Sequence, residues 1–370
     1  MKTPDFFLSM KENYRILLAL FFCTIVVLTT TAYAVEHYYY AFIFPAIRSI
    51  YALTLYYLPM AAIYIVVPVF VFWVYWQWKK RIAHLSSAVV KIIVFPIVVF
   101  LFIYCWFYLS WGLLYKAPNL SSRLHFSEVQ IDSTYLINEI RWVENKMRSC
   151  RKTFWENDTI AIPVNLKPRQ LESLLQSDVA STLENWNIKS YKNVRVRPLY
   201  PAGSLLIFST AGIYLPFSGE GHYDPGLAHF HAPFVMAHEL GHANGITGEA
   251  DCNFIAMITC LRSENTFVQY AGLLTYWRYL NADLRRSAIF SYYQIAFARP
   301  IFIRKDLNVL YKALDRYPEL MPVIRDKIYD TYLKANGLKD GLMNYDKILL
   351  MFKAWKESSL DPDIKQKWGI

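Results

Sequence analysis

The sequence predicts a mainly α-helical chain: three transmembrane helices, then an α+β domain with a small sheet and a helical C-terminal part. Three observations predict it. Long uncharged apolar stretches fill the region before residue 116. From Ala117 the composition becomes an ordinary globular mixture. Beyond that point most segments carry a 3.6-residue hydrophobic period, and only two short stretches are rich in β-branched and aromatic residues. The predicted parts are residues 1–116 and 117–370.

The apolar stretches are residues 16–35 (ILLALFFCTIVVLTTTAYAV), about 50–77 (with AAIYIVVPVFVFWVYW at its centre) and 92–115 (IIVFPIVVFLFIYCWFYLSWGLLY). Each has the length that the hydrocarbon core requires. Pro68 and Pro96 fall inside two of them, which spanning helices tolerate. Tyr and Trp crowd their ends, as at Tyr38–Tyr40 and Trp73, Trp76 and Trp78, in the manner of an interfacial belt. Lys2, Lys11 and Arg15 precede the first stretch, and Lys79, Lys80, Arg81 and Lys91 separate the second from the third. The first loop carries only Arg48. Positive residues favour the cytoplasm, so residues 117–370 are expected outside it. Ala32-Tyr33-Ala34 also matches a cleavage site, which leaves a signal peptide as a second reading of the first stretch.

The chain is 55% hydrophobic with a formal net charge of +10. Without a zinc-finger spacing, a basic stripe with interleaved aromatics or a Gly-rich phosphate loop, this charge reads as lipid-facing rather than as a nucleic-acid footprint. The five cysteines form no C-x-x-C. Cys252 and Cys260 on one helix would lie roughly 12 Å apart, beyond disulfide reach.

In the second part, helices are expected over 133–150 and 168–186, and strands near 193–197 and 204–217, with Gly212 marking a bulge or a close backbone approach. A Gly- and His-rich loop follows. A helix over 233–244 then starts near Pro233 and stops at Gly245. Thr247 is the expected N-cap of the next helix, about 248–262. Further helices are expected over 266–282, 285–296, 304–316, 320–335 and 343–356.

The helix over 233–244 carries His238-Glu239-Leu240-Gly241-His242, the H-E-x-x-H pattern. Histidines four apart share one helical face and can share a tetrahedral Zn2+. Glu239 projects differently and is placed to act as general base on an activated water. A catalytic zinc needs a third protein ligand. Glu249, at the start of the return helix, is the expected one; Asp251, two residues on, should point off that face. Asn253 shares the Glu249 face and is placed to hold that carboxylate or a histidine ring. His222, His229 and His231 lie in the loop region and are alternative ligands or oxyanion donors. Tyr223 and Tyr345 are candidate transition-state hydrogen-bond donors.

With Glu249 on the following helix, this pattern resembles the gluzincin class, in which two His and a Glu bind zinc. Many gluzincins carry Asp four residues after the ligand Glu, where this chain has Asn253. The combination GIYLPFSGEGHYD, PFVMAHELGHANGITGEADCNFIA and YLKANGLKDGLMNYDKIL resembles more closely an uncharacterised bacterial family, domain of unknown function 3810. Its members carry N-terminal spans and an HExxH domain. The membrane prenyl-protease and heat-shock metalloprotease class is a more distant analogue. Metzincins are set aside, because their third histidine would fall at Gly248.

The resemblance implies a zinc peptidase of the bacterial inner membrane facing the periplasm or exterior. It also implies residues 212–217 as a rim that pairs with an extended substrate. The expected partners are a peptide or protein substrate and the lipid bilayer, with no nucleic acid. A metal-binding sensor or scaffold and a zinc amidase acting on cell-wall peptides are the alternatives.

Overall fold

The computed structural model describes residues 18–82, 95–155, 166–191, 193–320, 322–323, 327, 331 and 347–370. The chain forms two units, one of residues 1–117 with 215–219 and one of residues 118–214 with 220–370.

In the first unit, α1 (Leu18–Thr29) and α2 (Ala32–Thr54) meet at a bend of 103°. Three threonines make that break. Thr29 and Thr30 turn their hydroxyls back onto the Ile25 and Val26 carbonyls, a contact that bends helices. Thr31 caps the next helix by accepting from Ala34 N. The Lys116 ammonium donates to the Val27 and Thr30 carbonyls, both at 2.8 Å, so the interrupted end of α1 keeps its acceptors satisfied. The middle of α2 is π-helical, Val35–Ile43.

α3 (Ile63–Ile82) contains Pro68, and α4 (Phe95–Ser110) leads into a 3-10 turn. The turn 215–219 clusters here: Arg48 Nη1 donates to Gly219 O at 2.6 Å and the Tyr51 hydroxyl to Pro216 O at 2.8 Å.

These helices differ from the three uninterrupted spans expected. The first stretch breaks at Thr30-Thr31. The second, 50–77, is divided between α2 and α3 around Pro59, which has no N–H to continue a helix and disfavours helical backbone at Leu58. Of the third, 92–94 lie outside the described residues. Among the described residues no single helix is long and apolar enough to cross a membrane, and the bent α1–α2 pair passes that test only jointly.

The second unit is mainly helical around a three-stranded sheet. α5 (Ser133–Phe154) starts at Asp132, whose carboxylate accepts from Tyr135 N at 2.7 Å. α6 (Pro168–Asn185) starts at Pro168. The strands are β1 (Val196–Pro198), β2 (Gly212–Leu215) and β3 (Glu220–Tyr223), in the order β1-β3-β2. β1 and β3 are parallel, with Val196 opposite Gly221 and Arg197 opposite His222. The strand expected over 204–217 is shorter than its sequence suggests, because Leu206–Phe208 form a 3-10 turn. Asp224 holds that segment: its carboxylate accepts from the N–H groups of Gly203, Leu205, Leu206 and Gly226 at 2.7–3.2 Å.

Then follow α7 (Ala232–Ala243), α8 (Glu249–Arg262), α9 (Thr266–Ser287), α10 (Ile289–Ala298), α11 (Ile301–Asp315), α12 (Lys347–Glu357) and α13 (Pro362–Trp368). The cap of α8 is Gly248, with no side-chain bond, rather than the expected Thr247. α9 packs along α5, and Tyr270, Tyr276, Trp277, Phe352 and Trp355 fill the core. Asp361 ties three helices together, accepting from the indoles of Trp186 and Trp355 at 2.8 Å and from Arg262 at 2.6 Å. The cysteines are free thiols, as the Cys252–Cys260 spacing requires. The turns expected at Asn336-Gly337 and Asp340-Gly341, and most of the helix expected over 320–335, lie outside the described residues.

Candidate metal centre

Helices α7 and α8 build the site. Gly245 takes a positive φ of 90° and reverses the chain, so α8 returns alongside α7. The approach is close: a β-carbon at Gly241 would lie 3.1 Å from Cys252 Sγ. This brings the start of α8 beside the last two turns of α7, which carry His238 and His242.

The two imidazole rings lie 4.8 Å apart, centroid to centroid. Their Nε2 atoms face one carboxylate. His238 Nε2 is 3.2 Å from Glu249 Oε2, and His242 Nε2 is 3.7 Å from Glu249 Oε1. One donor atom from each residue lies within 4.8 Å of the others, and all three residues are buried. The outer ring nitrogens have partners of their own. His242 Nδ1 donates to Ile246 O at 2.8 Å, and His238 Nδ1 to Asn253 Oδ1 at 2.9 Å. With Nδ1 of each ring held by these acceptors, each Nε2 points toward the centre.

Electrostatics bind the cluster together. Burial alone would raise Glu249, but His242 and His238 outweigh it and hold the carboxyl well below its usual range. Burial would lower His242, but Cys252 and Glu249 outweigh it and raise the imidazole well above its usual value.

Glu239 sits against the sheet. A β-carbon at Gly212 would lie 2.5 Å from Glu239 Oε1, and one at Gly221 would lie 2.7 Å from Glu239 Cβ. The two strand glycines therefore make room for this side chain, the close backbone approach expected of Gly212. Burial pushes the Glu239 carboxyl up to about 7, against the pull of His238 and His242. Its Oε2 is buried without a hydrogen-bond partner, an arrangement that costs free energy unless a ligand completes it.

The structure brings together His238, Glu239, His242, Glu249 and Asn253. Asp251 turns away, as its helix phase requires: its carboxylate accepts from Leu120 N at 3.0 Å. The loop-region histidines do not join the cluster. His222 is fully buried on β3, His229 stacks on Phe267, and His231 Nε2 lies 3.3 Å from Arg278. Tyr223 is buried on β3 opposite Pro198. Burial pushes its hydroxyl up to about 12, with Tyr200 and Glu172 as the neighbours that add to the shift. Tyr345 lies outside the described residues.

Three participants escaped sequence reasoning. The Ile246 carbonyl is a backbone group set by the Gly245 turn. Cys252, with Sγ 3.3 Å from His242 Nδ1, sits three residues after Glu249, a phase that points it to the same side. Gly221, two residues before Tyr223 and alternating with buried His222, was the available signal for a strand position that a helix approaches.

Two imidazole nitrogens and one carboxylate, with the imidazoles oriented from behind, could hold a metal ion, and a divalent ion such as zinc would displace the ring protons. No curated protein and no solved structure matches the chain. The model of a protein family of unknown function, DUF3810, matches residues 39–352, most of the chain. The protein therefore belongs to the DUF3810 family.

Proposed function

We propose that the protein is a membrane-anchored, zinc-dependent metallopeptidase. The observation that carries this reading is the convergence of His238 Nε2, His242 Nε2 and the Glu249 carboxylate beside the buried carboxylate of Glu239, whose Oε2 has no hydrogen-bond partner. Zinc bound there supplies Lewis acidity, lowering the pKa of water and polarising a carbonyl. The residues do the rest. His238, His242 and Glu249 hold the ion, and Asn253 and the Ile246 carbonyl fix the ring orientations. Glu239 takes the proton of the attacking water and returns it to the leaving amine.

The N-terminal unit is the proposed anchor in the bacterial inner membrane, with the metal site on the periplasmic or outer side. Its helices turn large apolar side chains outward, among them Phe21, Phe22, Leu28, Phe72 and Phe100. The positive residues Lys79 and Lys80 at the end of α3 support a cytoplasmic end there.

The test is Glu239→Gln. The variant should retain zinc and lose hydrolysis of unfolded polypeptide. Undiminished turnover would remove the mechanism. Turnover of cell-wall peptides but not of unfolded protein would move the assignment to an amidase, and no turnover of either by the zinc-loaded chain would leave a metal-binding scaffold.

A further inference from the structure

Helix α10 carries an apolar face that the second unit does not cover. Its sequence, IFSYYQIAFA, has no charge. One side packs against α9 and α5. The other faces outward, with Phe290 75%, Tyr293 64% and Phe297 91% exposed, continued past Pro300 by Ile301 at 53%. Positions 290, 293 and 297 follow the i, i+3, i+7 spacing of one helical stripe, and Ile301 opens the next helix beyond the extended pair Arg299-Pro300. Scattered exposed apolar residues are ordinary, but a contiguous aromatic stripe marks an interaction surface.

The flanks identify the occupant. From Leu284 to Lys305 there is no Asp or Glu, while Arg285, Arg286, Arg299, Arg304 and Lys305 bracket the stripe. Arg286 is also paired with Asp283 at 3.0 Å, and Arg299 with Asn281 at 3.2 Å. Arg285, Arg304 and Lys305 are exposed. An apolar face with a basic rim is the pattern of a helix lying in a membrane interface, its aromatics among the acyl chains and its cations among anionic headgroups. Two copies meeting through this face would oppose like charges, which disfavours self-association.

We propose that α10 is an in-plane membrane-docking helix that holds the second unit against an anionic lipid surface. It is separate from the N-terminal anchor, and it does not depend on the metal or on hydrolysis.

The test uses the full chain carrying Gln294→Cys, labelled with an environment-sensitive fluorophore, in vesicles of phosphatidylcholine with about one-third phosphatidylglycerol and brominated acyl chains. The unsubstituted chain, whose described thiols are buried or half-buried, supplies the blank. The expected result is a blue-shifted emission that loses on the order of half its intensity to the brominated chains. The quenching should be weaker in phosphatidylcholine alone and abolished by Phe290→Ser with Phe297→Ser. Emission unchanged by brominated lipid would overturn the proposal, whether or not the chain as a whole binds vesicles. Quenching equal in both lipids would remove the anionic requirement. Energy transfer between labelled copies without lipid quenching would assign the face to a dimer instead.

Discussion

Glu239 Oε1 lies so close to the backbone of Gly212 that a β-carbon there would stand 2.5 Å from it. The proposed general base is therefore positioned by the sheet as well as by its own helix. Such a β-carbon would also stand 2.8 Å from the His222 carbonyl oxygen and from Val235 Cγ1, so Gly212→Ala should displace β2 slightly and push the carboxylate aside, with His238, His242 and Glu249 kept in place by their own helices. Misplacement of a catalytic group by about 1 Å costs about 10²-fold in rate. The expected outcome is a fall in kcat of that order with zinc content unchanged. Loss of zinc together with activity would show that the glycine supports the fold rather than the base.

Asn253 would act on the proposed zinc through His238, by way of the 2.9 Å contact to Nδ1. Asn253→Ala should weaken zinc binding by roughly 10–100-fold, the usual effect of losing such a partner. Asn253→Asp, which keeps an acceptor on the ring, should restore most of it. Competition with a chelator of known affinity measures both. Equal weakening by the two substitutions would contradict an orienting role.

This part of the site was legible in the sequence because it is local. His238, Glu239 and His242 follow from one helical turn, and Glu249 and Asn253 from the phase of the next helix. The tight turn before α8 was legible in Gly245, although the cap of α8 is Gly248 and not Thr247. The N-terminal helices were less legible. Hydropathy averages over Thr29–Thr31 and Pro59, and it cannot register that hydroxyl back-bonds and a missing N–H interrupt the runs. The placement of Tyr223 depended on how β3 pairs with β1, a long-range choice that strand composition does not encode.

Asp224 is the clearest case of a residue whose importance is tertiary. One buried carboxylate satisfies four backbone N–H groups of the chain around β3. Asp224→Ala would leave them without an acceptor, at a cost of about 1–3 kcal/mol for each buried group that water cannot reach. The expected outcome is a drop in Tm by several degrees or failure to fold, with Asp224→Asn intermediate. A Tm within a degree of the parent would contradict the arrangement.

His222 gives the protein a pH dependence of known sign. Burial first, and the Arg197 charge second, lower its pKa to about 4 from an ordinary 6.5. The folded state therefore resists a proton that the unfolded chain accepts below 6.5. The stability this group contributes is complete above pH 6.5 and is lost as pH falls toward 4, by roughly 3 kcal/mol across the window. His222→Gln should make denaturant unfolding less steeply dependent on pH between those limits. An identical slope in the two proteins would contradict the assignment.

Zinc stoichiometry tests the proposed His238, His242 and Glu249 ligand set most directly. After metal removal and reloading with one equivalent, elemental analysis of the purified full-length chain should find one zinc per chain in the parent and in Glu239→Gln. Glu249→Ala and His242→Ala, still folded by hydrogen exchange, should retain almost none. Full zinc occupancy in Glu249→Ala, at an affinity equal to the parent, would contradict the account.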